Sequence, residues 1–295
     1  MNGVINIYKN TGMTSFDVVA MVRKVAKMKK VGHTGTLDPA ASGVLPVCLG
    51  RATKIIDYIM ENQKVYRVNL KLGMITDTYD LDGKVLETKD ASNISKEEII
   101  DCISTFLGTI DQVPPMYSAL KQNGVRLYEL ARQGIEVHRE ARKVTIYSIE
   151  NIEIESTDNI QMDVCCSKGT YIRSLCYDIG EKLNVGATMT ALERIKNGPF
   201  TKEEAINIED LNEELLEKHL ISMEEALNSF DKMFVNERFG KLLRNGVKVF
   251  DSRLYNNQDI EFEKIYRVYV EGGRFLGLGK REEKGFKLEK LLIEE

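Results

Sequence analysis

The sequence has no run of on the order of 18 or more apolar residues, so no transmembrane helix is expected. Its opening residues, MNGVINIYKN, lack a cationic start followed by an apolar core; no secretory signal is expected, and the cytoplasm is the expected compartment. Cysteine is scarce: Cys48, Cys102, Cys165, Cys166 and Cys176 form no CxxC pair, and adjacent Cys165 and Cys166 point to opposite faces if they lie on a strand. An odd count without metal-ligand spacing implies reduced, mostly buried thiols. Histidine is scarcer still. His33, His138 and His219 stand far apart and make no HxxH or HExxH, so no metal site is expected. Nucleotide-binding motifs, internal repeats and low-complexity segments are also missing, and no cofactor is expected. What is present, 43% hydrophobic and 29% charged residues, suits a chain that buries a core.

The net charge of −4 argues against a polyanionic partner until its distribution is considered. Between Met1 and Lys71 stand eleven basic residues, Lys9, Arg23, Lys24, Lys27, Lys29, Lys30, Arg51, Lys54, Lys64, Arg67 and Lys71, against the four acids Asp17, Asp38, Asp57 and Glu61. From Lys202 to Glu225 the balance reverses, with nine acids against Lys202 and Lys218. One reading is a basic face for a polyanion and an acidic face left to solvent; the other is two solvated helix faces of opposite sign.

Periodicity places the elements. Gly3 to Tyr8 alternates as a strand, and Ser15 and Asp17 open an amphipathic helix running to about Met28. Val31 to Gly43, rich in glycine and small hydroxyl residues, reads as a structured loop before a short apolar strand, Val44 to Leu49. A helix over Ala52 to Met60 precedes a strong strand, Lys64 to Ile75, an acidic turn and a return strand from Val85. Ser95 caps a helix, Arg126 to Arg132 is helical, and Lys143 to Ile154 pairs with Asn159 to Cys166 around Ser156–Asp158. A helix over Ile172 to Leu183 and a strand near Met189 to Ile195 follow, then acidic helices up to Leu227. Hairpins interrupted by helices at irregular intervals indicate an α+β fold. After Phe234 the texture of short strands and glycine turns (Gly246 to Val249, Tyr266 to Val270, Phe275 to Lys280) predicts a small β-barrel-like module.

The stretch richest in chemistry is Gly32-His33-Thr34-Gly35-Thr36-Leu37-Asp38-Pro39-Ala40-Ala41-Ser42-Gly43. Asp38 is the single acid of this loop, and a cationic partner would hold it ionised. On composition alone, Asp-Pro in a Gly/Thr loop is also an ordinary turn.

With Val44-Leu-Pro and Gly50-Arg-Ala-Thr-Lys54, this stretch resembles the signature of the TruB family of pseudouridine synthases. Further blocks agree in order. They are Lys9-x-x-Gly12-x-Thr-Ser15 (with Asn10 where the family usually has proline), Tyr66-Arg-Val, Leu72-Gly73, Thr76-Asp-Thr-Tyr-Asp80-x-Asp-Gly83, Gln112 to Lys121, Gly124 to Gly134, Lys168-Gly-Thr-Tyr-Ile-Arg173-Ser-Leu and Leu192-Glu-Arg194, where Glu193 replaces a more usual arginine. They span residues 3 to 200 or so. Beyond residue 234 a looser likeness, Leu242-x-x-x-Gly246 and the strand texture, resembles a PUA RNA-binding module.

The resemblance implies a pseudouridine synthase fold, with a central, mainly antiparallel sheet flanked by helices and loops. It divides the chain into a catalytic domain, 1–232, and a PUA-like domain, 233–295. It implies isomerisation of a uridine at position 55, in the T loop of tRNA, by a monomer that flips its target base. Asp38 would be the catalytic carboxylate, and Arg173 would pair with it, its planar fork suited to two parallel hydrogen bonds. Tyr66 would stack on the uracil and take its C5 proton. Tyr171 and Leu192 would border the uridine, His33 would fill the space the base leaves, and Asp80 would belong to the same substrate site. Lys9 and Lys54, with Lys121, Arg126, Arg132 and Arg142, would contact phosphates, the segment 121–142 clamping the T arm. Bland alternatives stand beside each: a strand tyrosine, a helix-surface arginine, core leucine, solvated cations. Two other functions compete. RNA-guided relatives work inside ribonucleoproteins but usually carry basic tails, unlike the acidic stretch Glu289 to Glu295; a tRNA-binding or folding protein would not need Asp38, Tyr66 and Arg173 together.

Overall fold

The computed structural model describes residues 1–156, 158–254 and 260–293. Thr157 at the tip of the expected hairpin, residues 255–259 of the expected barrel and the last two residues of the acidic stretch lie outside them.

Alternating Val4, Ile5 and Ile7 make β1 (Gly3–Lys9), and helix α1 (Ser15–Val25) opens at Ser15 as expected but is capped by the residue before it: Thr14 accepts from Asp17 N, and Asp17 reaches back to Thr14 N, a capping box. The glycine-rich stretch is partly strand, because β2 (Val31–His33) pairs with β3 (Ser42–Leu49), leaving residues 34–41 as the loop. A 3-10 turn (Gly50–Ile55) leads into α2 (Ile56–Met60), then β4 (Lys64–Leu72) and the hairpin β5 (Met74–Thr76) and β6 (Val85–Thr88). Next come α3 (Lys96–Ser104), β7 (Gly108–Gln112), a small hairpin of β8 (Lys121–Gln122) and β9 (Val125–Arg126), and α4 (Leu127–Arg132). The long hairpin β10 (Arg142–Ser156) and β11 (Asn159–Cys166) precedes α5 (Ile172–Lys182) and β12 (Ala187–Asn197). The expected acidic helices up to Leu227 are the short α6 (Glu213–Lys218) and α7 (Met223–Ala226), and strands β13 (Phe200–Thr201) and β14 (Ile206–Asn207) come before them.

Among the described residues ten strands form one mixed sheet, in the order β14-β1-β3-β12-β4-β11-β10-β7, with β13 beside β12 and β2 beside β3. Only the β1–β14 and β3–β12 pairings are parallel, so the sheet is mainly antiparallel, as expected. The period of two explains why β3 is apolar throughout: Leu45, Val47 and Leu49 face a core built with α1, while Val44 and Cys48 face a second core on the other side. Farther along the sheet, Val68, Leu70, Met162 and Val164 pack against α3 and α5 through Ile99, Ile103, Leu175 and Ile179. Tyr66 and Leu192 touch both this core and the one under α1, and so mark the seam between them. All five cysteines are free thiols, and Cys165 alone is not buried. No described helix is long and apolar enough to cross a membrane.

The C-terminal region differs from its expected form. Its described residues make a four-stranded open sheet, β15 (Lys232–Val235), β16 (Ile265–Val270), β17 (Arg274–Glu282) and β18 (Gly285–Leu291), and no closed barrel. Gly246 to Val249 is not a strand; it follows helix α8 (Glu237–Arg244), and Val249 makes a single bridge to Phe286. Leu278 and Leu292 of this region join Val4, Val44, Cys48, Ile55 and Ile59 in one core.

Candidate active site

The loop carrying Asp38 is held from three directions. Ser15 at the start of α1 both donates to Leu37 O (3.1 Å) and accepts from Leu37 N (2.9 Å). Gly12 N donates to Pro39 O at 2.8 Å. Arg194 on β12 straddles the loop, its Nη2 donating to Gly35 O (3.2 Å) and its Nε to Val44 O (2.7 Å). Gly43 must be glycine here: its φ is +115°, and a Cβ would lie 2.2 Å from the Arg194 carbonyl oxygen. The result is a side chain, Asp38, presented 44% exposed on a backbone with little freedom.

Arg173, in the first turn of α5, reaches Asp38 with Nη2 at 2.5 Å. Its other terminal nitrogen, Nη1, goes to Asp80 Oδ2 at 3.1 Å, so the guanidinium bridges two acids instead of gripping one with two parallel bonds as expected. Asp80 is 8% exposed and its carboxylate is fully engaged: Oδ1 accepts from Thr78 Oγ1 (2.5 Å) and from Asp82 N (3.2 Å). Asp80 therefore supports the guanidinium from behind. Tyr79 beside it has φ +65°, a left-handed backbone that turns the chain sharply at this point.

Tyr66 lies on β4 directly opposite Arg194 of β12, and the strand bulges at the next pair, where Lys196 faces Val65. Burial raises the Tyr66 hydroxyl above its ordinary range, and the Arg194 guanidinium opposes that rise. Tyr171 caps the entry to α5, its backbone gripped at both ends by the Gln112 amide (2.8 and 3.0 Å), and burial raises its hydroxyl too. Leu37, next to Asp38, belongs to the core that Tyr66 touches, so the Asp38 loop and Tyr66 meet at the same seam. Leu192, two residues before Arg194, lies beside Tyr66 at the seam. His33 stands at the entry to the loop with its pKa lowered, by burial first and then by Arg194, so it is neutral near pH ~7.

Two expected phosphate contacts part company. Lys54 is exposed on the 3-10 turn, but nothing links it to Asp38. Lys9 is fully buried, and its ammonium donates to Met13 O (2.8 Å), Asn10 O (2.9 Å) and Pro39 O (3.4 Å). Having no free face, it braces the loop and is not placed to reach a phosphate; burial lowers its pKa to about 8. In the expected clamp, Lys121, Arg126, Arg132 and Arg142 are all exposed, and Arg126 and Arg132 lie over the Tyr128 ring at 5.8 and 5.4 Å. Sequence reasoning placed Ser15, Gln112 and Arg194 in blocks that resemble the family but gave none of them a role at the site.

An aspartate held by a bridging arginine, on a loop whose Leu37 shares a core with Tyr66, suits nucleophilic or proton-transfer chemistry on a planar ring. The model for the N-terminal domain of TruB family pseudouridylate synthases matches residues 23–172, and that for the C-terminal domain of tRNA pseudouridylate synthase B matches residues 173–231. The chain belongs to the TruB family. It is 85% identical over 295 residues, covering all of both chains, to a Clostridium perfringens protein named tRNA pseudouridine synthase B. A Clostridium tetani protein of the same name is 56% identical, covering 99% of this chain and all of that one. Among solved structures, this TruB-family chain is similar to a chain in the crystal structure of a Cbf5-Nop10-Gar1 complex, at TM-score 0.74 and 28% identity, covering 99% of this chain and 85% of that chain. A chain in the structure of an H/ACA RNP bound to a substrate RNA containing 2'-deoxyuridine gives TM-score 0.74 and 25% identity, with the same coverage. The pseudouridine synthase fold expected of the sequence agrees with these neighbours.

Proposed function

We propose that this protein isomerises uridine to pseudouridine in tRNA, at position 55 of the T loop, with Asp38 as the catalytic carboxylate. The observation that carries the reading is the bridge from Asp38 through Arg173 to buried Asp80, set beside Tyr66 at the seam of two cores. The reaction breaks the bond from N1 to the ribose C1′, turns the uracil, and joins C5 to C1′; the C5 proton is released and N1 gains one, so no redox change occurs. Asp38 either attacks C1′ or C6 and later leaves, or removes a ribose proton. Arg173 holds it aimed in each case. Tyr66 offers a ring for the uracil to lie on and a phenol that, once ionised, takes the C5 proton. Tyr171 and Leu192 wall the pocket, and neutral His33 occupies the space left by the base. Flipping that base costs a few kcal/mol, supplied by contacts to the loop and its phosphates.

The exposed cations of residues 121–142 and Lys54 serve as those phosphate contacts. The chain acts as a monomer with a catalytic domain, 1–232, and an RNA-binding region, 233–295, of PUA type. The likeness to RNA-guided assemblies is at 28% identity or below, against 85% for the protein named as a tRNA enzyme, which favours the stand-alone reading. Asp38→Asn decides the matter: with a T stem-loop it should bind within a few-fold of the natural protein and form no product. Pseudouridine from the variant at more than a trace of the natural rate would remove Asp38 from its role.

A further inference from the structure

Arg194 is the largest of the fully buried side chains, 1% exposed. Arginine is almost never buried to this degree unless an acid pairs with it. Among the described residues this one pairs with no carboxylate; its hydrogen-bond acceptors are the carbonyls of Gly35 and Val44, either side of Asp38. Its charge also bears on the cations nearby. Lys9 and Lys64 are each lowered to about 8 and His33 is lowered as well, burial being the main cause and Arg194 a contributor in all three. A neutral donor such as glutamine would serve carbonyls without that repulsion, so the positive charge itself needs a reason.

The register supplies one. Arg194 and Tyr66 are directly opposite on neighbouring antiparallel strands and project to the same side. We propose that Arg194 is a positioning residue of the reaction, tying the Asp38 loop to the strand of Tyr66 and stabilising the Tyr66 phenolate, which forms by losing its proton to solvent and then takes the C5 proton. This rests on the proposed function above. The groups facing the Tyr66 hydroxyl are Arg194 from β12, Cys166 from β11 and Asp38 from the loop; of these, Arg194 alone favours the phenolate. Before RNA binds, the guanidinium is an uncompensated charge. Once Tyr66 holds negative charge in transit, the cation has its partner.

The test is single-turnover rate against pH on a T stem-loop for Arg194→Lys, Arg194→Met, Tyr66→Phe and the Tyr66→Phe/Arg194→Lys double variant, with binding and melting measured alongside. Arg194→Lys should bind within a few-fold and react roughly ten- to a hundredfold more slowly, the loss expected for one displaced charge-assisted bond. Its rate should rise at higher pH than the natural protein's, because Tyr66 ionises less readily beside a displaced cation. In the Tyr66→Phe background the lysine change should cost much less, since the two residues act as a unit. A lowered melting temperature with unmoved rate and pH profile would make Arg194 scaffold only, and so overturn the proposal. Full additivity in the double variant would sever the link to Tyr66. Should Arg194→Met fail to fold, the lysine and double variants still decide. A natural protein without activity on the stem-loop would sink the proposed function instead.

Discussion

Replacing Arg173 by lysine keeps the charge and removes the geometry. The guanidinium uses two different nitrogens on two different acids, Nη2 to Asp38 at 2.5 Å and Nη1 to Asp80 at 3.1 Å. A lysine has one nitrogen on a flexible stem and can satisfy one of the two carboxylates at the right reach. The loss is then one charge-assisted hydrogen bond, about 1.5–3 kcal/mol, or roughly ten- to 150-fold in rate if it falls wholly on the reacting complex. Methionine removes both bonds and leaves Asp80, 8% exposed, with only Thr78 and a backbone amide. That is a broken buried pair, on the order of 3–5 kcal/mol, so Arg173→Met should also melt earlier. The assay is single-turnover conversion of a saturating T stem-loop, with melting followed by circular dichroism. A lysine variant within about twofold of the natural rate, or lysine and methionine variants of equal rate, would refute the two-point argument.

Tyr66→Phe keeps the stacking face and loses the hydroxyl, so product formation should fall at least roughly a hundredfold while binding holds; near-normal turnover would end its proton-transfer role. Asp178 on α5, pushed up to about 6 by burial and then by Glu181, gives a pH prediction. Between an unfolded value of about 4 and that folded value the folded chain holds more protons, so this group's contribution to stability declines as pH rises through the window. Asp178→Asn should therefore raise the melting temperature at about pH 7.5 and give no gain below about pH 4, and a constant gain at both would contradict the assignment. Truncation before Lys232 removes Leu278 and Leu292 from a core whose other members, such as Val4, Val44 and Ile55, are fully buried. Each lost leucine is worth about 2–5 kcal/mol, so the remnant should melt well below the full chain and lose turnover even on an isolated stem-loop; an unchanged melting curve would refute the shared core.

The sequence carried the sheet well wherever alternation was strong, as in Gly3–Lys9, β4 and the β10–β11 hairpin. Helix α3 was legible because Ser95 and Glu98 form a capping box at local spacing. Helix α8 had comparable signals, with Asn236 capping Phe239 N and Gly246 past its end, but they were submerged in a glycine-rich, strand-like texture. Asp38 and Arg173 were legible only through a motif, since their contact joins residues 135 apart in sequence. The burial of Lys9 was not legible at all: a lysine after a strand looks solvated until the fold brings Met13 O and Pro39 O around it. The same holds for Asp80, whose role appears only when a distant helix places Arg173 against it.

The core shared across the two sheets has a consequence for how length is read along an RNA. Leu278 and Leu292 share a core with Val44 and Cys48 of β3, the strand that follows the Asp38 loop, so the described C-terminal sheet is packed onto the part of the fold that carries Asp38. On the function proposed above, the protein would act as a caliper set to one opening. An RNA held by both parts would have to present its uridine at that one spacing, and a stem longer or shorter by a base pair would seat one jaw and miss the other.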